Sequence, residues 1–358
     1  MRRMVVSAMG HMTEPPRGRL APSPTGALHL GNARSFLIAW LSVRSRGGTL
    51  VLRMEDLDHP KNKPGAAQAA LDDLHWLGLD WDEGPDVGGP CAPYVQSQRV
   101  ELYAEALRRL QQGGHVYPCV CTRRDVEQGQ SAPHLDESSP RYDGTCDGRF
   151  ADYEQALRVR LAAEGIDTVV SPNQWPAWRF RARGATQFDD TICGMQHGDP
   201  GATEGDFVLA RHPRGAGYML AVVVDDAAMG INEVVRGDDL LPATHRQLLI
   251  YRALGHRPPR FCHVPLVVGE EGRRLAKRHG DTRLATLRER GFCPEEVVGL
   301  LAWWSGWAAW GERLKPCDLL ERFDLAKLPH APAVLDERVR IWLERSAAGP
   351  LATGGSQR

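Results

Sequence analysis

RLAPSPTGALHLGN, residues 19–32, reads as a strand, a rigid turn and the opening of a helix. Pro22 and Pro24 fix the backbone and deny it helix, while Thr25-Gly26 makes the turn that leads to His29, Leu30, Gly31 and Asn32. From Ala33 the apolar residues Phe36, Leu37, Trp40 and Leu41 recur at helical spacing until Gly47-Gly48 ends the run. TLVLRME, from Thr49, is again apolar and strand-like, so the segment is a βαβ unit with a parallel pair of strands. Open α/β sheets bind ligands at the carboxyl ends of their strands, where Glu55 and Asp56 then sit. Free amides in the first turn of the helix, the helix dipole and a small Gly31 beside an imidazole suit a polyphosphate. Taken alone, a His at a helix start is more often a cap than a catalyst.

A second basic segment lies far downstream. After the strand-like HVPLVV and the turn GEEG comes Arg273-Arg274-Leu275-Ala276-Lys277-Arg278. Only five of the 44 basic residues in the chain are Lys, so Lys277 departs from the compositional habit. A Lys ammonium is a compact, mobile point charge suited to following a phosphate through a reaction, whereas Arg offers a planar fork. By itself the segment is more often a solvated basic loop.

The pair H-x-G-N at 29–32 and R-L-A-K-R at 274–278 resembles the two signatures of class I aminoacyl-tRNA synthetases. Around them LRMEDLD (52–58), GLDWDEG (78–84), GDFVLAR (205–211), YMLAVVVDDAAMGINEVVRGDDLL (218–241) and HVPLVVGEEGRRLAKRHG (263–280) resemble the glutamyl-tRNA synthetase group. Within that group AVVVDDA, VVRGDDLL, ATHRQ and RLAKR are more like the short glutamyl-queuosine tRNA(Asp) synthetase branch, which lacks an anticodon-binding domain. The resemblance covers about residues 17–343. It implies an α/β fold, a Rossmann-like parallel sheet with an inserted zinc-containing subdomain and a C-terminal helical region. The implied bounds are an N-terminal tail (1–16), the first half of the catalytic domain (17–118), the insert (119–190), the second catalytic half (191–270), the signature loop with a helical stem-contact-like region (271–345) and a tail (346–358).

The resemblance also implies chemistry. ATP, with Mg2+, would activate L-glutamate as glutamyl-adenylate, and the acceptor would be a hydroxyl on the cyclopentene ring of queuosine in the anticodon of tRNA(Asp). His29 and Lys277 carry over as catalytic residues, and His29, Gly31, Asn32 and Lys277 as the ATP site. A glutamate substrate needs cations for its carboxylates, an anion for its ammonium and hydroxyls to orient it. Arg19, Ser23, Glu55, Tyr218 and Arg236 supply these types, and each falls on a position that glutamyl enzymes use for glutamate. Arg236 has a local alternative, an ion pair with Asp238 or Asp239. The loop departs from many glutamyl enzymes in having Arg274 and Ala276 in place of Lys and Ser. Two other readings stay open: a truncated glutamyl-tRNA synthetase charging the acceptor end, and a catalytically silent tRNA-binding paralogue.

Eight cysteines fit a reducing compartment better than a disulfide framework, since five of them are scattered singly. The exception is Cys119-Val120-Cys121 followed by Tyr142 and Cys146, three thiolates that need one more ligand to close a tetrahedral zinc site. General metal chemistry nominates His134 or His115 as the fourth. The family resemblance nominates Tyr142, giving one structural Zn2+ held by Cys119, Cys121, Tyr142 and Cys146.

At 358 residues and 42% hydrophobic content the chain can bury two or three domains, and a net charge of −1 argues against a uniformly RNA-coating protein. Contact with tRNA must then use local patches such as Arg179/Arg181/Arg183, Arg123/Arg124 and Arg273/Arg274/Arg278. Neither a membrane span nor a secretory signal is legible, so a cytoplasmic monomer is expected. Residues 71–77 and 99–110 read as amphipathic helices, and Tyr218 to Val224 and Ile231 to Arg236 as strands. Thr244 reads as the cap of a helix ending before Gly255, Pro294 as the start of a Trp-rich helix, and FDLAKLPHAPAVLD (323–336) as stem-contact helices.

Overall fold

A computed structural model describes residues 14–57, 61–128, 141–212, 215–273 and 281–344. The opening unit is β1 (Arg17–Leu20), α1 (Leu30–Arg44) and β2 (Thr49–Leu52), with β1 and β2 parallel and Arg19 opposite Val51. Next come α2 (Ala66–Trp76), α3 (Val100–Gln112), β3 (Val116–Cys119), α4 (Arg123–Gln128), α5 (Tyr153–Ala163) and β4 (Ala177–Phe180). The hairpin of β5 (Thr186–Asp190) and β6 (Gly194–Gly198) leads through α6 (Pro200–Thr203) to β7 (Phe207–Ala210). Then α7 (Tyr218–Ala228), β8 (Glu233–Gly237), α8 (Leu241–Leu254), β9 (Arg260–Val264) and β10 (Val267–Gly269) complete the sheet region. Finally α9 (Leu284–Glu289), α10 (Pro294–Trp304), β11 (Ala333–Leu335) and α11 (Glu337–Glu344) follow.

Strand order in the largest sheet is β6-β5-β9-β8, parallel across β5, β9 and β8. β1 runs beside β8, because the Asn232 amide donates to the Arg17 carbonyl at 3.0 Å. Successive strand residues serve opposite cores: Leu50, Leu52, Val235 and Cys262 face one cluster with α1 and α10, while Val51, Val234 and Phe261 face a second with α3, α7 and α8. Helices therefore cover both faces, which is why these strands read as unbroken apolar runs. β3, β4 and β7 form a separate antiparallel sheet. Arg34, fully buried in α1, donates to the carbonyl of Pro265 at 2.5 Å and to Ser305 Oγ at 3.1 Å, joining the sheet to the end of α10.

Three local readings are corrected. Tyr218 to Val224 is helix, not strand: three consecutive valines favour a strand locally, but every residue from Leu220 to Asp226 is buried, and a helix packed on all sides loses its polar stripe. Thr244 lies inside α8 rather than at its cap, and its hydroxyl donates back to the Leu240 carbonyl at 3.3 Å. FDLAKLPHAPAVLD is a short 3-10 turn at Leu325–Lys327 followed by β11, since Pro329 and Pro332 deny it helix. Among the described residues no helix is long and apolar enough to cross a membrane.

One buried acid marks a cost of packing. Asp73 of α2 is fully buried with neither carboxyl oxygen hydrogen-bonded, and Arg288 stands 3.6 Å away. Burial first, only partly offset by Arg288, raises its pKa from 3.8 to about 6. The folded chain holds this proton more tightly than the unfolded one, so its contribution to stability is full below the unfolded pKa and is lost as pH rises through about 6. Asp73→Asn is expected to raise Tm by a few degrees at about pH 8 and by less at about pH 4, as thermal melts at both pH values will show.

Candidate active site

His29 is the N-cap of α1. Its Nδ1 accepts from the amides of Gly31 at 3.1 Å and Asn32 at 3.4 Å, and Asn32 Oδ1 accepts from the His29 amide at 3.3 Å. The expectation that first-turn amides stand free for phosphate is thus corrected: the imidazole occupies them. Gly31 makes room for that ring, since a Cβ there would lie 3.0 Å from His29 Cε1. With Nδ1 accepting, the ring proton belongs on Nε2, which becomes a donor. His29→Asn should therefore keep the cap and the Tm while lowering pyrophosphate exchange about a hundredfold, whereas His29→Ala should also lose about 1 kcal/mol of stability. Exchange and melting measured on both variants separate the two roles.

Lys277 lies outside the described residues, as does the rest of 274–280. The flanks of that stretch are placed. Arg273 accepts from the Gly269 amide at 2.8 Å, while the Leu30 amide donates to Thr282 and the Leu284 amide to Leu28, at 3.0 and 2.9 Å. Residues 282–284 are consequently stitched to the turn that presents His29.

At the strand ends a buried charge network assembles. Arg19 lies 3.8 Å from Asp226 and donates to the Val235 carbonyl at 3.2 Å, and Arg53 donates to Asp226 at 2.7 Å and to Glu55 at 2.9 Å. Asp225 receives Arg99 at 2.6 Å, Gln96 and Tyr103. Burial raises the pKa of Glu55 despite the opposing cations of Arg53 and Arg19. Tyr218, first residue of α7, keeps 37% of its surface exposed, yet desolvation within the network raises its pKa, and it lies near enough to feel Arg236, Glu55, Arg19 and Asp226. Four of the five expected glutamate residues thus converge. Ser23 is exposed in the turn after β1.

Arg236 has no carboxylate partner among the described residues, so the expected alternative of a pair with Asp238 or Asp239 is not realised. Its Nη2 donates to Thr244 Oγ1 and Gln247 Oε1, both at 2.8 Å, and its Nε to His263 Nε2 at 3.0 Å. None of these bonds uses Nη1. Burial lowers its pKa, against the partial compensation of Tyr218. The buried side-chain atoms without a hydrogen bond in this network are Arg19 Nε, Arg53 Nε and Gln247 Nε2, and the two guanidinium nitrogens still face carboxylates, Asp226 at 3.8 Å and Asp225 at 3.7 Å. It is the buried Arg236, held by neutral groups alone among the described residues, that asks for an anionic ligand. Arg53, Asp226 and His263 were missed by sequence reasoning; Arg53 stands two residues before Glu55 just past β2, a spacing that puts both side chains on one side of an extended chain and is a legible signal.

Cys119, Cys121 and Cys146 bring their sulfurs within 4.8 Å of one another and could hold a metal. Tyr142 Oη lies 3.5 Å from Cys119 Sγ and 3.8 Å from Cys121 Sγ, close to the ~3.8 Å edge of a tetrahedron with ~2.3 Å metal–sulfur bonds. The donors present fit a metal. His134, the competing fourth ligand, lies outside the described residues. Arg179 is not a phosphate contact: it is buried, stacks 3.7 Å over the Tyr142 ring and donates to Cys119 Sγ at 3.2 Å. Arg181 and Arg183 are paired with Asp147.

An anion-seeking pocket at the carboxyl ends of parallel strands, beside a His-capped helix, defines a class I synthetase-like ligase. The chain belongs to the family of class I tRNA synthetases (E and Q), whose catalytic-domain model matches residues 17–314. It is 49% identical to the Glutamyl-Q tRNA(Asp) synthetase of Symbiobacterium thermophilum over 92% of this chain and 97% of that protein. To Glutamate–tRNA ligase 2 of Syntrophus aciditrophicus it is 40% identical over 92% of this chain, but that match spans 65% of the relative. The crystal structure of a glutamate tRNA ligase from Elizabethkingia meningosepticum, in complex with its amino acid, superposes with a TM-score of 0.75 at 28% identity, covering 92% of this chain and 69% of that one.

Proposed function

We propose that this chain activates L-glutamate with ATP and transfers it to queuosine in the anticodon of tRNA(Asp). The observation that carries the acceptor assignment is the higher identity to the Glutamyl-Q tRNA(Asp) synthetase, over nearly the whole of both chains. For the amino acid, support comes from charge. Arg19 and Arg53 are matched by Asp226 and Glu55, and Arg99 by Asp225, leaving the buried Arg236 to be matched by the ligand. Glutamate, with two carboxylates and one ammonium, supplies that single negative charge; glutamine does not.

In the first step a glutamate α-carboxylate oxygen attacks the α-phosphorus of ATP, and pyrophosphate leaves. Arg19 and Arg236 hold the carboxylates, Glu55 the ammonium, and Tyr218 and Ser23 supply hydrogen bonds. His29, through Nε2, and Lys277 stabilise charge on the phosphates, with Gly31 and Asn32, whose amides seat the imidazole, lining the nucleotide site. Magnesium bound with the nucleotide would neutralise phosphate charge. In the second step the cyclopentene hydroxyl attacks the glutamyl carbonyl and AMP departs. Cys119, Cys121, Tyr142 and Cys146 would hold a structural zinc, with the buried guanidinium of Arg179 offsetting thiolate charge.

Labelled glutamate offered to tRNA(Asp) with and without queuosine, and with and without its terminal adenosine, tests the reading. Labelling should survive loss of that adenosine and vanish without queuosine. Dependence on the terminal adenosine instead would identify an enzyme that charges the acceptor end, and absence of glutamate-dependent pyrophosphate exchange would identify a silent paralogue.

A further inference from the structure

We infer that Asp190 and His263 form a positioning pair that fixes the guanidinium of Arg236 for the substrate carboxylate. The inference rests on the glutamate-site reading of Arg236 and goes beyond it to residues that never touch the amino acid.

The geometry leaves one protonation pattern. Asp190, at the end of β5, accepts from the backbone amides of Ile192 at 3.1 Å, Cys193 at 2.9 Å and His263 at 3.2 Å, so its carboxylate cannot turn. His263 Nδ1 lies 2.6 Å from Asp190 Oδ2 and must donate to it. His263 Nε2 lies 3.0 Å from Arg236 Nε, and a guanidinium can only donate, so Nε2 must accept. A neutral imidazole with its proton on Nδ1 satisfies both bonds, while an imidazolium would set one N–H against another. Burial acts in the same direction, lowering the His263 pKa despite the Asp190 hydrogen bond.

Asp190, His263, Thr244 and Gln247 are at most 1% exposed, so water does not substitute for any of them. Thr244 and Gln247 grip Nη2 from α8, and His263 grips Nε from β9. Three acceptors on two elements hold the plane of the fork and turn Nη1 outward. A bidentate or in-plane carboxylate contact depends on that plane. Without His263 the side chain keeps its charge and two bonds but gains rotation about its last torsions.

The test is pyrophosphate exchange with glutamate and ATP each titrated. His263→Leu removes the bonds to Asp190 and Arg236 together with the 3.1 Å contact to Thr244 Oγ1, whereas His263→Gln can place an amide oxygen toward Arg236 and an amide N–H toward Asp190. His263→Leu should raise the KM for glutamate about tenfold or more with the KM for ATP unchanged, and His263→Gln should restore most of the loss. Equal shifts in both KM values, or a glutamine variant no better than the leucine one, would overturn the pair as a positioning device. Arg236→Leu, run in parallel, separates this from the underlying reading: if it too leaves glutamate use unchanged, the site assignment has failed rather than the positioning. Should His263→Leu not fold, 15N-histidine spectra of the unsubstituted protein decide the matter, since His263 must be neutral with its proton on Nδ1. A signal from the Nε2–H form would rule the arrangement out.

Discussion

Replacing Arg236 by leucine is expected to lower glutamate-dependent pyrophosphate exchange roughly a thousandfold. Removing one member of a buried charge pair costs about 3–5 kcal/mol, because the other is left desolvated and alone, and about 4 kcal/mol is three decades in rate. The pocket offers little repair. Arg19, anchored by Asp226 and the Val235 carbonyl, already serves one substrate carboxylate in the proposed site and cannot take both, and Arg53 is bound to Glu55 and Asp226. Arg236→Lys should recover only part of the activity, since an ammonium cannot reproduce a fork held at Nε by His263 and at Nη2 by Thr244 and Gln247. Exchange rates measured over a range of glutamate concentrations give the answer. A leucine variant within about tenfold of the parent would remove Arg236 from the substrate site.

Metal analysis of protein purified without chelator is expected to find one zinc per chain, and Cys119→Ser combined with Cys146→Ser to abolish it. Structural zinc sites bind with apparent energies of about 10–16 kcal/mol, which exceeds what so small a cluster can bury in apolar surface. Among the described residues the buried core around the three sulfurs consists of Tyr117, Cys119, Tyr142 and Cys146, with Val120, Cys121, Val126 and Phe150 partly buried against it. Loss of metal should therefore loosen this region first, while β8 and β9 keep the protection of two large cores. Hydrogen exchange followed by mass spectrometry would show faster exchange near 116–121 and 141–146 at unchanged protection of 233–237 and 260–264. Protein with only trace zinc and unaltered exchange in the double variant would exclude the metal.

The opening βαβ unit was legible because prolines, a glycine pair and helical periodicity all point one way over 19–52. So was the convergence of Arg19, Glu55, Tyr218 and Arg236, although the reason for it was not. A strand end places residues by sheet order, which local pattern does not encode, and so the resemblance to a family located them. The same limit explains the strand expected at Tyr218 to Val224. Its valines carry strand propensity, and burial on all sides removed the polar stripe that would have marked a helix. His263 and Asp190 were invisible for a different reason: they are 73 residues apart, and nothing in either neighbourhood marks a pair that meets across β5 and β9. Arg179 misled because one letter of sequence cannot distinguish a cation facing RNA from one folded over a tyrosine ring.

The contact between His29 and Gly31 makes the two positions a single mechanical unit. A methyl group at Gly31 would press on the imidazole, and an imidazole displaced from its seat would give up the amides it caps. Neither residue can drift by itself without penalty to the other, so selection for the histidine's chemistry is also selection for the glycine's emptiness. What reads as a four-letter signature is, in that sense, one interlocked piece of packing whose letters hold each other in place.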